Sequence, residues 1–344
     1  MSKSTSKPIT LKEVAEAAGV SVSTASRALS GKAEAYRISR ATEQSVQAAA
    51  KRLQFSPSLL AKSLRSQRTK LLGVVLPNVA NPFFAAIARE ITLAAEENEF
   101  SVLLADSQEN SETEVHLVEQ LQARQIEGLV VCPVGIAHQH LSKLAKQNLP
   151  LVLVDRGFDH KDLVTVTSNH RDGAREATTL LLESGHQKIG VLQGLPDTLP
   201  NTERLVGVRD AFAEHDVPFD PTLIAGNHFD EASGYQAAYK LLSDHPEITA
   251  LFAFSNQNAL GALRAAAELG RTVPEDLSLI AFDDHPFAAY LAAPMTSVCQ
   301  DVTQLGRLAA RLLIEQIKTG QPPQQKQHQI PVQLINRSSI KNIE

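Results

Sequence analysis

From Leu71 onward, short apolar runs alternate with amphipathic segments, and no feature of the chain constrains its fold more. The runs LLGVVLP, SVLLADS, GLVVCP, LVLVD, KIGVLQG, ALFAFS and LSLIAFDD are apolar almost throughout, as strands covered on both faces must be. The segments PFFAAIAREITLAAEEN, ETEVHLVEQLQARQ, GAREATTLLLESG, ERLVGVRDAFAEH, ASGYQAAYKLLSD, NALGALRAAAELG and TQLGRLAARLLIEQIKTG carry the helical period. Strand, helix, strand in succession predicts parallel sheets with helices on both faces. The repeats are too many for one sheet, and 344 residues exceed a single core, which stops growing at roughly 250–300 residues. The body should therefore be α/β, built as two parallel-sheet three-layer subdomains.

Open sheets of this kind bind ligands beyond the carboxyl ends of their strands. Those ends read Asn78 to Phe84, Asp106–Ser107, Asp155–Arg156, Gly194 onward, Ser255–Asn256 and Asp283–Asp284–His285. They are polar, with Phe83 and Phe84 as apolar walls, the make-up of a sugar-sized cleft.

The first seventy residues differ in kind. They carry 13 Lys and Arg against 4 Asp and Glu, a net +9, whereas the remainder has net −14 and the whole chain −5. A basic head on an acidic body suits a module that meets a polyanion. Periodicity divides the head into three short helices: TLKEVAEAAG, SVSTASRALSG and ISRATEQSVQAAAKRLQF. Leu11, Val14, Ala15 and Ala18 share one face of the first. Gly19 suits the left-handed turn that stops it, and Ser21 then caps the second. Val22, Ala25 and Leu29 supply the inward face of the second helix, and Val46, Ala50 and Leu53 that of the third. Two short helices joined by a Gly turn predict a helix-turn-helix. Outward stand Ser23, Thr24, Ser26 and Arg27, short hydrogen-bonding groups with one guanidinium able to bridge O6 and N7 of guanine. Thr10, at the first helix's amino terminus, suits a phosphate contact.

Next comes FSPSLLAKSLRSQRTK. Pro57 blocks the third helix, Ser58 can cap a new one, and Leu59 to Leu64 makes barely two basic turns. Nucleation cost leaves so short a helix unstable alone, so it should order only against a partner or DNA.

With TLKEVAEAAGVSVSTASRALSG, FSPSLLAKSLRSQRTKLLGVVLP and the body motifs in that order, almost the whole chain resembles the LacI/GalR family of bacterial transcription regulators. The resemblance implies a helix-turn-helix head over 1–56, a hinge helix and linker over 57–70, and a periplasmic-binding-protein-like effector and dimerisation body over 71–344. Its two lobes would span about 71–168 plus 299–320 and about 169–298 plus 321–340. Ala61 and Leu64 match the hinge residues that enter the minor groove, the leucine as a wedge between bases. Ser21 and Val22 join the DNA contacts; Val22 and Ser23 stand where larger readers stand in other members. The link SGKAEAYRIS is about three residues longer than is common in the family and resembles the fructose-repressor and sucrose-repressor branch. Its Tyr36 and Arg37 either meet flanking phosphates or, for Tyr36, pack on the third helix.

In the body, the R-x-x-G stretch in ERLVGVRDAF makes Arg204 resemble the family's effector-clamping arginine, and the strand-end Asp283 its hydroxyl acceptor. NPFF assigns Phe83 to the cleft beside Phe84, and LVLVDRGFD supplies Asp155 and Arg156. Ser107 completes the set with Ser255 and Asn256, which depart from the Asn-Asp of many sugar-responsive members. Arg204 with Arg156 can fork a phosphate; alternatively Arg156 pairs with Asp155 or Asp159. The effector expected is a fructose-type sugar or sugar phosphate, with another sugar or a nucleobase as alternatives.

Other classes find little footing. Asp283, Asp284 and His285 alternate faces on an extended chain and cannot easily converge on one acid/base task. No G-x-G-x-x-G follows the first strand, and neither a P-loop nor a G-x-S-x-G elbow occurs. His138 and His140 in AHQH read as a solvated loop, so no metal and no cofactor are expected. Two cysteines, Cys132 and Cys299, fit a reducing compartment rather than a disulfide framework. The opening MSKSTSKPITLKEV lacks a secretory apolar core and no run reaches a membrane span, so a free periplasmic sugar-binding protein is the weaker reading and a cytoplasmic protein the stronger. Without a leucine heptad after PVQLINRSS, a homodimer is expected on operator DNA.

Overall fold

The computed structural model describes residues 9–55, 68–158, 162–284 and 286–343. They fall into two units, 1–69 and 70–344. In the first, side-chain caps set the helices. Thr10 opens α1 (Leu11–Ala17) with a capping box: its Oγ1 accepts the Glu13 N–H while its own N–H donates to the Glu13 carboxylate at 2.6 Å. Gly19 turns the chain at φ +67°. Ser21 accepts the Thr24 N–H to cap α2 (Val22–Leu29), and Ser39 accepts that of Thr42 to cap α3 (Arg40–Arg52). Val14, Ala15, Ala25, Ala28, Val46, Ala49 and Ala50 form the core. Val22 does not join it: Ala28 fills that face, and Val22, overhanging the helix end, is 46% exposed. The long link is anchored by Ala33, buried in the head, and by the Ile38 N–H donating to the Ala33 carbonyl at 2.8 Å.

In the second unit the first sheet holds β1 (Leu71–Leu76), β2 (Ser101–Asp106), β3 (Gly128–Val131), β4 (Leu151–Val154), β5 (Val164–Ser168) and β11 (Gln327–Ile330), all parallel, in the order β11-β5-β4-β3-β1-β2. Leu72, Val74 and Leu76 meet Ile87 and Ile91 of α4 (Pro82–Glu96) and Leu313 of α11 (Val302–Thr319) on one face. Val75, Leu129 and Leu153 meet α5 (Ser111–Ala123) and α6 (Gln139–Lys146) on the other.

The second sheet holds β6 (Ile189–Leu192), β7 (Ile224–Ala225), β8 (Ala250–Ala253), β9 (Ser278–Phe282), β10 (Thr296–Gln300) and β12 (Val332–Ile335), ordered β12-β10-β9-β8-β6-β7. The sheet is parallel as expected except at its edge, where β12 pairs antiparallel with β10. Helices α7 (His170–Glu183) and α8 (Leu199–Glu214) cover one face through Leu181, Val208 and Phe212. Helices α9 (Glu231–Asp244) and α10 (Asn256–Glu268) cover the other through Leu241 and Ala262.

The lobe limits also shift. β10, as far as Gln300, belongs to the second sheet and β11 to the first, so the chain re-enters the first lobe after Gln300 and leaves it only after Ile330. Residues 299–300 and 321–330 thus lie in the lobes opposite to those expected. The polar QHQI of β11 carries no apolar run to announce it.

Candidate effector cleft and DNA-reading face

Two aspartates stand at corresponding places in the two lobes. Asp155 follows β4 and donates its N–H to Val166 on β5; Asp283 follows β9 and donates its N–H to Val298 on β10. Both take left-handed backbone, at φ +63° and +72°, a conformation costly for a residue with a side chain and maintained only where neighbours over-determine it. Each bend turns a carboxylate out of its sheet into one shared cleft. Asp155 is buried, its Oδ2 is 3.8 Å from Cys132 Sγ, and its Oδ1 meets no polar partner among the described residues. Burial, then the charge of Asp283, pushes its carboxyl up to about 7 against the opposing pull of Arg156 and Arg204.

Arg204 projects from α8 and is 3% exposed. One terminal nitrogen donates to the Phe254 carbonyl; the other lies 3.3 Å from His170 Nδ1 and 4.0 Å from Asp283 Oδ1. The guanidinium stacks 3.7 Å from the Phe282 ring centre, and Nε has no hydrogen-bond partner among the described residues. Burial, then the neighbouring Arg204 charge, holds His170 well below its ordinary pKa, so its imidazole is neutral. Gln300, from the end of β10, donates to Asp283 Oδ1, and its own Oε1 is buried without a partner among the described residues.

Across the cleft, Asn81 caps α4 by accepting the Phe83 N–H at 3.0 Å, and Asn256 reaches Asn81 Oδ1 at 3.4 Å with its own Oδ1 unpartnered among the described residues. Phe83 and Phe84 form an edge-to-face pair 5.2 Å apart. These buried polar atoms lacking protein partners suit a ligand bearing several hydroxyl groups.

The expected two-arginine phosphate fork is not formed. Arg156 spends both terminal nitrogens on Glu109, at 2.7 and 2.8 Å, rather than pairing with Asp155; Asp159, like His285, lies outside the described residues. Burial works against the Arg156 charge, and Glu109 outweighs it, raising its pKa. Ser107 is also corrected: it is fully buried and its hydroxyl donates to the Leu76 carbonyl, so it shapes the loop and does not face the cleft. Ser255 lines the cleft, but its Oγ caps α10 through the Asn258 N–H and ties down the Phe229 carbonyl at 3.1 Å.

Phe229, Glu109, Gln300 and His170 were not singled out from the sequence. Phe229 packs over Gly194 with Arg156 and Arg204 at 5.2 and 5.8 Å from its ring centre, which makes it a central wall of the site. It follows the two-residue β7, too short to flag a strand end. Glu109 lies just past the strand end Asp106–Ser107, and that position is the signal the sequence offers for it.

Neighbouring groups do other work. Asp284 points away from Asp283 and pairs with Arg337 at 2.7 and 3.0 Å. His140 is not in a solvated loop: its Nε2 is 2.8 Å from the buried Glu114, which also accepts the Val134 N–H. Among the described residues no cluster of three His, Cys, Asp or Glu side chains can hold a metal, Cys132 and Cys299 are free thiols, and no helix is long and apolar enough to cross a membrane.

On the head, Ser21, Val22, Ser23 and Arg27 are exposed on α2, with Thr24 and Ser26 half-buried. The Ser21 hydroxyl lies 2.9 and 2.8 Å from those of Ser23 and Thr24. Tyr36, from the long link, is exposed and packs against Arg27, whose guanidinium sits 4.1 Å from its ring centre. Arg37 is exposed at φ +55°. The Thr10 hydroxyl, assigned to phosphate, is engaged by Glu13 at 2.8 Å in the capping box. The hinge segment with Ala61 and Leu64 lies outside the described residues.

Residues 10–58 match the bacterial regulatory proteins of the lacI family, and residues 178–340 match a periplasmic binding protein-like domain. Over 332 residues the chain is 32% identical to the ribose operon repressor of Halalkalibacterium halodurans, covering 96% of this chain and 97% of that protein. The structure of the lac repressor dimer bound to operator and the anti-inducer ONPF aligns with a TM-score of 0.86 at 26% identity, over 97% of this chain and 100% of that one. A complex of the transcriptional regulator CelR with cellobiose aligns with a TM-score of 0.73 at 30% identity, over 96% and 99%. These likenesses do not single out the fructose-repressor or sucrose-repressor branch. They join a regulator's head to a ligand-binding body along nearly the whole chain, which therefore belongs to the LacI family of bacterial regulatory proteins and is a regulator, not an enzyme.

Proposed function

We propose that the chain is a cytoplasmic, homodimeric repressor that reads near-palindromic operator DNA through α2 and is controlled by a small fructose-type sugar held between its lobes. The observation that carries the effector reading is the set of buried polar atoms without hydrogen-bond partners among the described residues, Asp155 Oδ1, Arg204 Nε and Gln300 Oε1, beside the apolar walls Phe84 and Phe229. Carboxylates accept from hydroxyls, an arginine N–H donates to a ring or hydroxyl oxygen, and the aromatic faces suit the C–H face of a sugar. Ribose is the second candidate, because a relative sharing nearly the full length is named a ribose operon repressor. Closing the lobes on the sugar would alter how the two heads and the hinge segments of the dimer meet DNA, and the DNA affinity changes with it.

The test is fluorescence anisotropy at fixed salt on DNA fragments selected by the full-length protein, with fructose, sucrose, ribose, fructose 1-phosphate or fructose 1,6-bisphosphate added. Displacement by a fructose compound alone supports the reading. Displacement by ribose alone moves the assignment to the pentose, and tight DNA binding indifferent to all five removes a sugar of this group as effector.

A further inference from the structure

Arg156 is 4% exposed, yet both its terminal nitrogens are committed to a carboxylate of its own chain. That carboxylate is held in place by costly backbone. Gln108 and Glu109 are successive residues in the left-handed region, at φ +54° and +53°. Their loop is pinned by the Glu109 N–H on the Pro77 carbonyl, the Gln108 N–H on Asp106 Oδ1, and Asn110, which caps α5 by accepting the Thr113 N–H. Two such residues in sequence persist only where something offsets their cost. Here the gain is a bidentate, charge-assisted pair inside the cleft.

The terminal nitrogens of Arg204 are likewise engaged, by Phe254, His170 and Asp283, which leaves only its Nε without a hydrogen-bond partner among the described residues, and Asp155 and Asp230 add carboxyls to the cleft. We propose that Glu109 is a specificity-determining residue: as an internal counter-anion it occupies the fork of Arg156, so that the cleft admits neutral sugars and turns away their phosphate esters. A phosphate entering the site must displace Glu109 and break its bidentate pair with Arg156, or bind without an arginine fork. A neutral sugar meets neither penalty. This rests on the sugar reading of the cleft and selects within it.

The experiment is calorimetric titration of the full-length protein with D-fructose, D-ribose, fructose 1-phosphate, ribose 5-phosphate and inorganic phosphate, for the wild type, Glu109→Gln, Glu109→Asp and the double variant Glu109→Gln/Arg156→Gln. The wild type is expected to bind its sugar at least about tenfold more tightly than the corresponding ester, and Glu109→Gln to gain about tenfold or more for the ester and for inorganic phosphate, a gain lost in the double variant. Glu109→Asp keeps the charge while shortening its reach, and should retain the preference for neutral sugar even if Glu109→Gln fails to fold. Tighter binding of an ester than of its sugar by the wild type, or no gain of phosphate binding by a folded Glu109→Gln, overturns the proposal. If no sugar binds but Glu109→Gln gains inorganic phosphate, the sugar assignment fails and the role of Glu109 stands.

Discussion

Asp155 titrates near neutrality because burial and Asp283 act together on one carboxyl. Its folded pKa of about 7 lies above the ordinary 3.8, so the folded protein retains a proton that the unfolded chain releases between those values. The stability tied to that proton is complete below about pH 4 and is lost as pH rises toward 7 and above, by on the order of 4 kcal/mol at most. Asp155→Asn should remove this slope, and chemical denaturation of both proteins at a series of pH values measures it. If sugar hydroxyls donate to the ionised carboxylate, binding must expel the proton. Sugar affinity should then rise from pH 6 to pH 8 in the wild type, with proton uptake by the buffer, and the variant should show neither. At the head, Tyr36 restrains Arg27, a guanidinium otherwise free to sample many rotamers. An exposed cation–π contact contributes about 0.5–1 kcal/mol, so Tyr36→Ala should weaken binding to selected DNA about two- to fivefold. Tyr36→Phe should restore it, whereas a pure phosphate role for the hydroxyl requires Phe to be as weak as Ala.

Element packing decides whether Arg204 reaches the cleft at all. In the R-x-x-G stretch the glycine does the positioning: a Cβ on Gly207 would lie 2.1 Å from the Arg171 carbonyl oxygen, so α8 lies directly on the backbone of α7. Gly207→Ala must separate the helices, at a cost of about 1–3 kcal/mol. A lower melting temperature together with weakened sugar binding is the expected result, and full affinity in a destabilised protein would detach Gly207 from the placement of Arg204. That motif is visible in the sequence, as are the seven apolar strands: six are buried almost throughout and so must be apolar on both faces, and the half-exposed edge strand β2 keeps the apolar run VLLA. VTVTS of β5 and TSVCQ of β10 carry no such run: the buried hydroxyls of Thr296 and Ser297 bond to Asn336 and Asp284, while Ser168 Oγ and Gln300 Oε1 have no partner among the described residues. The same logic divides the site. The strand-end rule reaches Asp155, Arg156 and Asp283, but Glu109 and Phe229 enter from loops whose course depends on tertiary packing. A spacing rule cannot see that Arg156 already has its anion.

At the scale of the whole molecule, a head of net +9 and a body of net −14 divide the labour between attraction to DNA and recognition of a small molecule. If one dimer serves both, its ligands are thermodynamically linked. A sugar that lowers operator affinity by a given factor must itself bind more weakly, by the same factor, to the DNA-bound protein. Coupling energies of this type usually lie at about 1–3 kcal/mol, so sugar dissociation constants measured with and without saturating operator should differ roughly 5- to 150-fold. Replacing the cleft contacts changes intrinsic sugar affinity in both states, yet the ratio persists as long as both lobes still close on the ligand. Asp155→Asn should therefore weaken sugar binding while leaving that ratio nearly intact. Equal sugar affinities with and without operator in the wild type would separate the cleft from the head and leave the effector without a regulatory role.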